Sequence, residues 1–111
     1  MGAAFKYHGQ IVWGTNGSIE HYLDRMLTLS TTEHGAEHPM TRWLSDCRLS
    51  FFTGAVVNLD AVLDDLGCQP QFVALLQNVS SEGLDGPLFS DIGKKWIRER
   101  IQPFIQRLRS P

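Results

Sequence analysis

The sequence has few cysteines and no long apolar run, and these two absences exclude several classes of protein. Only Cys47 and Cys68 occur, and they form neither a paired CxxC metal site nor the disulfide framework of a small secreted domain. Apolar stretches such as "AVV" are far too short to cross a bilayer. The opening "MGAAFKYHGQ" lacks the cationic and apolar segments of a secretory signal. We therefore expect a cytoplasmic protein with free thiols and no membrane segment.

Acidic and basic residues are unevenly distributed along the chain. Residues 90–111 contain six basic side chains against two acidic ones, whereas the rest of the chain contains four basic against ten acidic ones. The net charge of −2 conceals this contrast. We therefore expect an acidic body and a basic final helix. Such an asymmetry of charge usually bears on the partners of a protein rather than on its fold.

The length and the apolar spacing predict one folded domain of mixed structure. A chain of 111 residues has room for one core of ordinary size, so residues 1–111 are expected to form a single domain. A content of 42% hydrophobic and 20% charged residues is typical of globular proteins. The pattern predicts a helix-dominated α+β fold, with about five helices and a small antiparallel sheet of two or three short strands.

The first segment has the alternating pattern of β structure. Gly9 lies in its middle, where it favours either a tight hairpin turn or a bulge. An alternation carried straight through the segment predicts that several large side chains share one face. These side chains are Phe5, Tyr7, Ile11 and Trp13.

The next boundaries follow from capping residues and prolines. Ser18, in the turn "GTNGS", is the expected N-cap of a first helix that fades at "STTEHG". Pro39 is the expected first residue of a second helix. The stretch "RLSFFTGAVV" is rich in aromatic and β-branched residues, which predicts a buried strand ending near Val57.

The second half of the chain is predicted to be helical. Asn58 is the expected cap of a short helix that Gly67 ends, and Pro70 begins the next helix. "SSEGLDGP" is expected to be a loop. Ser90 or Asp91 begins the final helix, which Pro103 should kink or split. The inner face of that helix is expected to be Ile97, Ile101, Phe104, Ile105 and Leu108.

The stretch "EHGAEH" contains the letters of an inverted zinc-protease box. In such a box His34 and His38 would bind one ion from a single helical face, and Glu37 would activate water. Gly35 and Pro39 disfavour the helix that this arrangement requires. A solvated loop is the simpler interpretation, so we expect no metal site and no cofactor.

The stretch "NLDAVLDDLG" breaks two local rules of helix stability. Asp60 and Asp64 are four residues apart, and Asp64 and Asp65 fall in the last turn, where the helix dipole favours cations. Such conflicts are expected where a site binds a partner or where compensation comes from elsewhere. Two hypotheses remain: the aspartates form an outward acidic binding surface, or they pair with Lys94 and Lys95.

A resemblance to a known family supports the first hypothesis. "IVWGTNGSIEHYLDRM", followed by "HPMTRWLSDCRLSFFTGAVVNLDAVLDDLG", resembles small bacterial immunity proteins encoded beside polymorphic toxins, such as those of contact-dependent growth inhibition systems. The likeness covers about the first two thirds of the chain and concerns size, acidic balance and the order of elements. It implies a cytoplasmic, non-enzymatic protein that binds one cognate toxin domain, often a basic nuclease, and occludes its active site.

The expected function is therefore inhibition of a toxin by acidic side chains. The residues expected to contact the toxin are Asp60, Asp64, Asp65, Asp46, Glu82 and Asp85. The alternative is a nucleic-acid-associated regulator that uses the basic C-terminal helix, which the net negative charge of the chain disfavours. A third hypothesis is a small metal-dependent enzyme that uses the loop of His34, Glu37 and His38.

Overall fold

A computed structural model describes residues 2–109 of the chain. The strands are β1 (Gly2–Tyr7), β2 (Gln10–Thr15) and β3 (Val56–Asn58). The helices are α1 (Asn16–His34), α2 (Pro39–Ser50), α3 (Gln69–Asp85), α4 (Asp91–Trp96) and α5 (Gln102–Arg109). Two π-helical turns, Ala61–Asp65 and Ile97–Ile101, precede α3 and join α4 to α5. The predicted helix-dominated α+β fold is confirmed.

The three strands form one sheet in the order β2-β1-β3. β1 pairs antiparallel with β2 through a hairpin and parallel with β3. The prediction of a purely antiparallel sheet was therefore wrong, and the sheet is mixed. The cause is the connection: α1 and α2 lie between β2 and β3, and a helical crossover of this kind returns the chain in the direction that parallel pairing requires.

The hairpin turn consists of His8 and Gly9. Both residues have positive φ angles, 47° and 81°, as a type I′ turn requires. The hairpin that Gly9 favoured is confirmed, and the bulge is not formed. A two-residue turn places Tyr7 directly opposite Gln10, so the faces of β2 are determined by this pairing.

The prediction that the large side chains of β1 and β2 share a face was wrong. Phe5, Tyr7 and Val12 are buried, whereas Ile11 is 41% exposed and Trp13 is 53% exposed. Across a two-residue turn, odd-numbered residues of β1 share a face with even-numbered residues of β2, because cross-strand partners point the same way. An alternation that ignores the turn therefore assigns every side chain of β2 to the wrong face of the sheet.

The N-cap of α1 is not the predicted residue, whereas the first residue of α2 was predicted correctly. Thr15, not Ser18, caps α1: its Oγ1 accepts a hydrogen bond from the Ser18 N–H at 3.0 Å. The helix ends at His34, within the stretch "STTEHG" where its end was predicted. Pro39 begins α2 as expected, and the Nδ1 of His38 accepts from the Met40 N–H at 3.2 Å.

The predicted strand in "RLSFFTGAVV" is much shorter than expected. α2 continues to Ser50, and only Val56–Asn58 forms a strand. Arg48 holds the last turn of α2 against α1, because its Nε lies 2.6 Å from Asp24 and its Nη2 lies 3.1 Å from Glu20. These tertiary contacts outweigh the β propensity of the residues around them.

Asn58 ends β3 rather than beginning a helix. Its Oδ1 still accepts from the Asp60 N–H at 2.9 Å, so it stabilises the entry to the first π-helical turn. Gly67, with a φ of 64°, follows that turn. Pro70 lies in the first turn of α3, close to its predicted place.

α3 extends into the segment that was predicted to be a loop. It ends at Asp85, so "SSEGLD" is helical. Ser80 is fully buried there, and its Oγ donates to the Leu76 carbonyl at 2.8 Å and lies 3.0 Å from the Tyr22 hydroxyl. Gly83 is buried against Ile97, and a Cβ at this position would lie 2.8 Å from its Cδ1. Ser80 and Gly83, which made this stretch look like a loop, therefore allow α3 to pack against Tyr22 and Ile97.

The final helical segment begins and divides as predicted. The Oγ of Ser90 accepts from the Gly93 N–H at 3.2 Å. The second π-helical turn lies just before Pro103, which supplies no N–H and would clash with the carbonyl one regular turn earlier. The Gln102 N–H bonds instead to the carbonyl of Ile97, five residues back. The predicted inner face is confirmed as buried: Ile97, Ile101, Phe104, Ile105 and Leu108.

One hydrophobic cluster joins the sheet to the helices. Phe5 from β1, Tyr22 from α1 and Phe72 from α3 are fully buried within it. α1 contacts α2, α3 and the sheet, and α3 contacts α5. Within residues 2–109, every helix is too short or too polar to pass through a bilayer. The core thus covers one face of the sheet and leaves the other face for the surface.

Candidate functional site

Three of the aspartates expected to bind a partner lie at the first π-helical turn, and we call Asp60, Asp64 and Asp65 the acidic turn. Two of them contact the β1–β2 hairpin. The Tyr7 hydroxyl donates to Asp64 Oδ1 at 2.7 Å, and His8 Nε2 lies 2.5 Å from Asp64 Oδ2. The backbone N–H of His8 donates to Asp60 Oδ1 at 3.2 Å. The hairpin therefore holds two of the three carboxylates in place.

The local geometry of the hairpin makes these contacts possible. The positive φ of His8 turns its backbone N–H toward Asp60, while its ring stacks on Tyr7 with centroids 3.9 Å apart. On the facing segment, Asp60 and Asp64 are four residues apart and so lie on the same side of the turn. A histidine in this backbone conformation thus faces both carboxylates at once.

The hydrogen bonds of the acidic turn determine its charge. The bonds from Tyr7 and His8 lower the pKa of Asp64, so this carboxylate is ionised at neutral pH. The same hydrogen bond raises the pKa of Tyr7 to about 12, because ionising the phenol would remove the donor and place two negative charges side by side. The like-charge conflict seen in the sequence is therefore compensated by donors from β1 and the hairpin turn.

Pairing of the aspartates with Lys94 and Lys95 is not the arrangement of this structure. Lys95 Nζ lies 4.0 Å from Glu99, one turn along its own segment. No ion pair within residues 2–109 joins either lysine to the acidic turn. Asp65 is exposed and, in this part of the chain, has no side-chain hydrogen bond or ion pair.

The other three expected contact residues lie on helices. Asp46 is exposed on α2, and Asp85 is exposed at the end of α3. Glu82 accepts two hydrogen bonds from Arg25 of α1, at 3.1 and 2.8 Å, and these bonds lower the pKa of Glu82. In the described part of the chain, no hydrogen bond or ion pair connects these three carboxylates with the acidic turn.

The histidines of "EHGAEH" lie on two different helices. α1 ends at His34, Gly35 has a φ of 92°, and His38 caps α2, so the helix that a zinc box needs is interrupted as expected. The two imidazole centroids are 4.9 Å apart. The Nδ1 of His38 already accepts a backbone hydrogen bond. The sequence motif therefore serves as a connection between helices.

Among residues 2–109, the one group with metal-ligand spacing is at the acidic turn. One ligand atom each of His8, Asp60 and Asp64 lies within 4.8 Å of the others. His8 and Asp64 are already joined by a hydrogen bond, and the His8 backbone bonds Asp60. The group thus forms a polar network that is satisfied by its own members and Tyr7.

A second surface, which the sequence did not predict, lies on the side of the sheet away from the core. We define the outer sheet face as the two rows of side chains described here. In the first row, Ala4 of β1 is flanked by Trp13 of β2 and Val56 of β3. Val56 is 44% exposed, whereas Ala4 is completely covered. This row presents an aromatic and a branched apolar side chain to solvent.

The second row of the outer sheet face is more polar. Lys6 of β1 lies between Ile11 of β2 and Asn58 of β3. Asn58 bonds the backbone of Asp60, so this row borders the acidic turn. The outer sheet face is therefore apolar in its first row and polar in its second row, where it contains Lys6 and borders the acidic turn.

At the opposite end of the hairpin, the outer sheet face continues into a cleft. The cleft has a volume of about 750 Å³ and lies between β2, the start of α1 and the segment 88–96. Trp96 bounds it, and its Nε1 donates to the Trp13 carbonyl at 2.7 Å. Gly14 is required here, because a Cβ would lie 2.5 Å from the indole of Trp96. Leu88 and Ile92 line the cleft and are strongly exposed.

The exposed apolar side chains are concentrated on this side of the molecule. Five of the eight large hydrophobic side chains exposed in residues 2–109 belong to the outer sheet face or the cleft. These five are Ile11, Trp13, Val56, Leu88 and Ile92. Single exposed apolar residues need no explanation, but a contiguous set of this kind is typical of an interaction surface.

One signal in the sequence could have revealed this surface. If His8 and Gly9 form a two-residue turn, Tyr7 must face Gln10, and Ile11 and Trp13 then point away from the core. An alternation that runs straight through residues 5–13 ignores this dependence on turn length. The contribution of Val56 could not be predicted in the same way, because the parallel register of β3 depends on the helical crossover.

The basic side chains of the final segment lie outside its buried face. Arg98, Arg100, Arg107 and Arg109 are exposed, while the apolar side chains of the same segment contribute to the core.

No protein-family model matches the chain, and no curated protein or solved structure matches it either.

Proposed function

We propose that the chain is a cytoplasmic, non-enzymatic immunity-type protein that binds and occludes a cognate bacterial toxin domain. The observation that supports this function is the acidic turn, where Asp64 is held ionised by Tyr7 and His8, and where Asp65 has no internal partner among residues 2–109. Carboxylates in such a place suit a basic partner, for example the substrate-binding surface of a nuclease, which is built to accept phosphate. They would occupy that surface and exclude the substrate.

The acidic turn also suits rapid association. Its contacts with the hairpin order Asp60 and Asp64 before binding, which reduces the entropy lost when the complex forms. Opposite charges accelerate the diffusional encounter and orient the partners, and this effect weakens as salt screens the charges. Asp65 contributes charge without a structural role, so it is the residue with which to test the proposal.

The first experiment is genetic and uses a specific probe. The probe is the C-terminal domain of a large secreted protein encoded immediately beside this chain. Co-expression of the chain should restore growth of cells that produce this domain, and a catalytically inactive form of the domain should copurify with the chain. A probe that kills cells equally with and without the chain, and that does not bind it, contradicts the proposed function.

The second experiment measures binding kinetics of Asp65→Asn. We expect slower association at low salt and a flatter dependence of the association rate on salt, with little change in dissociation. Glu37→Gln is the matched control, because it also removes one exposed charge and lies in the connection between α1 and α2, outside the residues expected to contact the toxin. Equal association rates for Asp65→Asn and the wild type at every salt concentration would exclude a role for Asp65 in steering the partner.

The exposed arginines of the final segment provide the comparison with the alternative function. If the chain is a nucleic-acid-associated regulator, Arg107→Gln should weaken binding to a random DNA duplex and Asp65→Asn should not. Under the proposed function, the wild type binds the toxin domain and shows no measurable affinity for the duplex at physiological salt.

A further inference from the structure

We propose that the outer sheet face is the apolar centre of the surface that binds the toxin domain, with Trp13 as its principal anchor. This inference rests on the proposed function and adds a second, chemically different part to the binding surface. The acidic turn would then lie at the rim, and the apolar row of Trp13 and Val56 at the centre. Such an arrangement, apolar inside and charged outside, is typical of specific protein interfaces.

The exposure of the outer sheet face is the first argument. Its first row carries Trp13 and Val56 on either side of Ala4, and these two larger side chains remain 53% and 44% exposed. A sheet that packs one face on the core normally has a polar second face. An apolar row in that place exposes surface that a partner could remove from water.

The rigidity of Trp13 is the second argument. Its carbonyl accepts the indole N–H of Trp96, which fixes the edge of β2, and Gly14 permits Trp96 to lie against that edge. Its side chain borders Gly2 on the neighbouring strand. An exposed tryptophan on a fixed backbone loses little conformational freedom on binding, and tryptophan is enriched among the residues that dominate interface energies.

Charge complementarity identifies the occupant as a basic domain rather than a second copy of this chain. The outer sheet face meets the acidic turn through Asn58, so a partner that covers the face also lies beside Asp60 and its neighbours. Outside residues 90–111 the chain carries ten acidic against four basic side chains. A second copy would bring this same acidic excess toward the rim, whereas a basic domain brings the opposite charge.

The experiment compares substitutions on the outer sheet face with the same kinds of substitution at an exposed apolar residue elsewhere. Trp13→Ala removes the anchor and retains the backbone carbonyl that Trp96 needs. Val56→Lys places a cation in the apolar row, opposite a basic partner. Leu49→Ala and Leu49→Lys are the controls, because Leu49 is 83% exposed on α2 and lies outside the sheet. Circular dichroism melts first establish that each variant is folded.

We measure association and dissociation of the inactive toxin domain by surface plasmon resonance. Trp13→Ala should weaken binding at least about 30-fold, mainly through faster dissociation, as expected for a central aromatic residue. Val56→Lys should weaken it by a similar factor. Both Leu49 variants should stay within about threefold of the wild type. This pattern is distinct from Asp65→Asn, which acts on association.

The possible results separate the two proposals. If Asp65→Asn slows association but Trp13→Ala and Val56→Lys bind like the wild type, the outer sheet face is not the interface and the proposed function stands. If the wild type binds no toxin domain, both proposals fail. Sedimentation of the chain alone tests whether a second copy occupies the outer sheet face. If the chain is a dimer and Val56→Lys converts it to a monomer, the face binds a second copy and the inference is overturned.

Discussion

The two ends of the β1–β2 hairpin are held by different interactions. At its turn, polar contacts join Tyr7 and His8 to Asp60 and Asp64, and the hydrogen bond between Tyr7 and Asp64 lowers the pKa of Asp64 and raises that of Tyr7. At its open end, Gly14 allows Trp96 to pack against β2, and a single hydrogen bond to the Trp13 carbonyl accompanies that contact. The first end is therefore expected to respond to pH and salt, and the second to changes in side-chain volume.

The largest effect is expected from Trp96→Ala, which disrupts the open end. The indole is half-buried, packs edge-on against Tyr22 and bonds the edge of β2. Its removal should lower the free energy of unfolding by about 2–4 kcal/mol. Urea denaturation measures this change. The contact at the turn should survive, so the raised pKa of Tyr7 should persist in an alkaline absorbance titration carried out with Tyr22 replaced by phenylalanine, since buried Tyr22 contacts Trp96 and also has a raised pKa. A normal pKa for Tyr7 would then show that the two ends are coupled.

Gly14→Ala tests the same end with one added methyl group. The new Cβ would lie 2.5 Å from the Trp96 ring, and relieving that overlap should lower the free energy of unfolding by about 1–3 kcal/mol. Gly17→Ala is the matched control, because a Cβ there meets nothing within 4 Å and alanine favours the helix. Equal stability of the two variants would contradict the close packing of Trp96.

The turn end is expected to show its effect in the pH dependence of stability. Because the folded pKa of Asp64 is lowered, its contact stabilises the fold above the usual aspartate pKa and this contribution is lost as the pH falls through the lowered value. Because the folded pKa of Tyr7 is raised to about 12, its contribution is complete below pH about 10 and is lost as the pH rises toward 12.

Tyr7→Phe should flatten both limbs of this pH profile, since it removes the donor from Asp64 and the titrating phenol together. Chemical denaturation between pH 3 and pH 11, as a rough working range, measures the effect. Tyr22→Phe serves as the control for the acid limb, because its hydroxyl contacts Ser80 and not a carboxylate. Burial raises the pKa of Tyr22 to about 12, so this variant also changes the alkaline limb. An unchanged acid limb in Tyr7→Phe would mean that Asp64 is stabilised by other groups.

The smallest effect on stability is expected from Asp65→Asn. Asp65 has no internal partner in residues 2–109 and lies near the carboxyl end of a helical turn, where a negative charge is unfavourable. The free energy of unfolding should therefore change by less than about 0.5 kcal/mol and should tend to increase. A thermal melt is sufficient to measure it. A large destabilisation would show that Asp65 has a structural contact and would invalidate its use as a probe of binding.

The accuracy of the sequence predictions depended on whether the determining contact was local. Pro39, Ser90 and Pro103 act within one helical turn, and their structural effects were predicted correctly. The ends of α2 and α3 depend on partners in α1, such as the acidic residues that bind Arg48, and their spacing along the chain gives no sign of this.

In the candidate site, too, only the features that depend on local contacts could be predicted from the sequence. Asp60, Asp64 and Asp65 were recognised because their charges conflict with helix formation, which is a local property. Their compensation by Tyr7 and His8 joins positions 57 residues apart for Asp64, and neither of the two hypotheses drawn from the sequence included it. Trp13 was predicted to share a face with Phe5 and Tyr7, and this was wrong because the faces of the β2 side chains depend on the length of the hairpin turn.

The mixed sheet has a consequence for the order of folding. The β1–β2 hairpin closes through two residues, so its entropic cost is small and it can form in microseconds. β3 reaches β1 only after the intervening chain has been ordered, because non-local pairing must first overcome the cost of closing a long loop. Val56 and the contact between Tyr7 and Asp64 are therefore expected to take their places late. A chain emerging from the ribosome would expose Ile11 and Trp13 before its acidic turn is assembled.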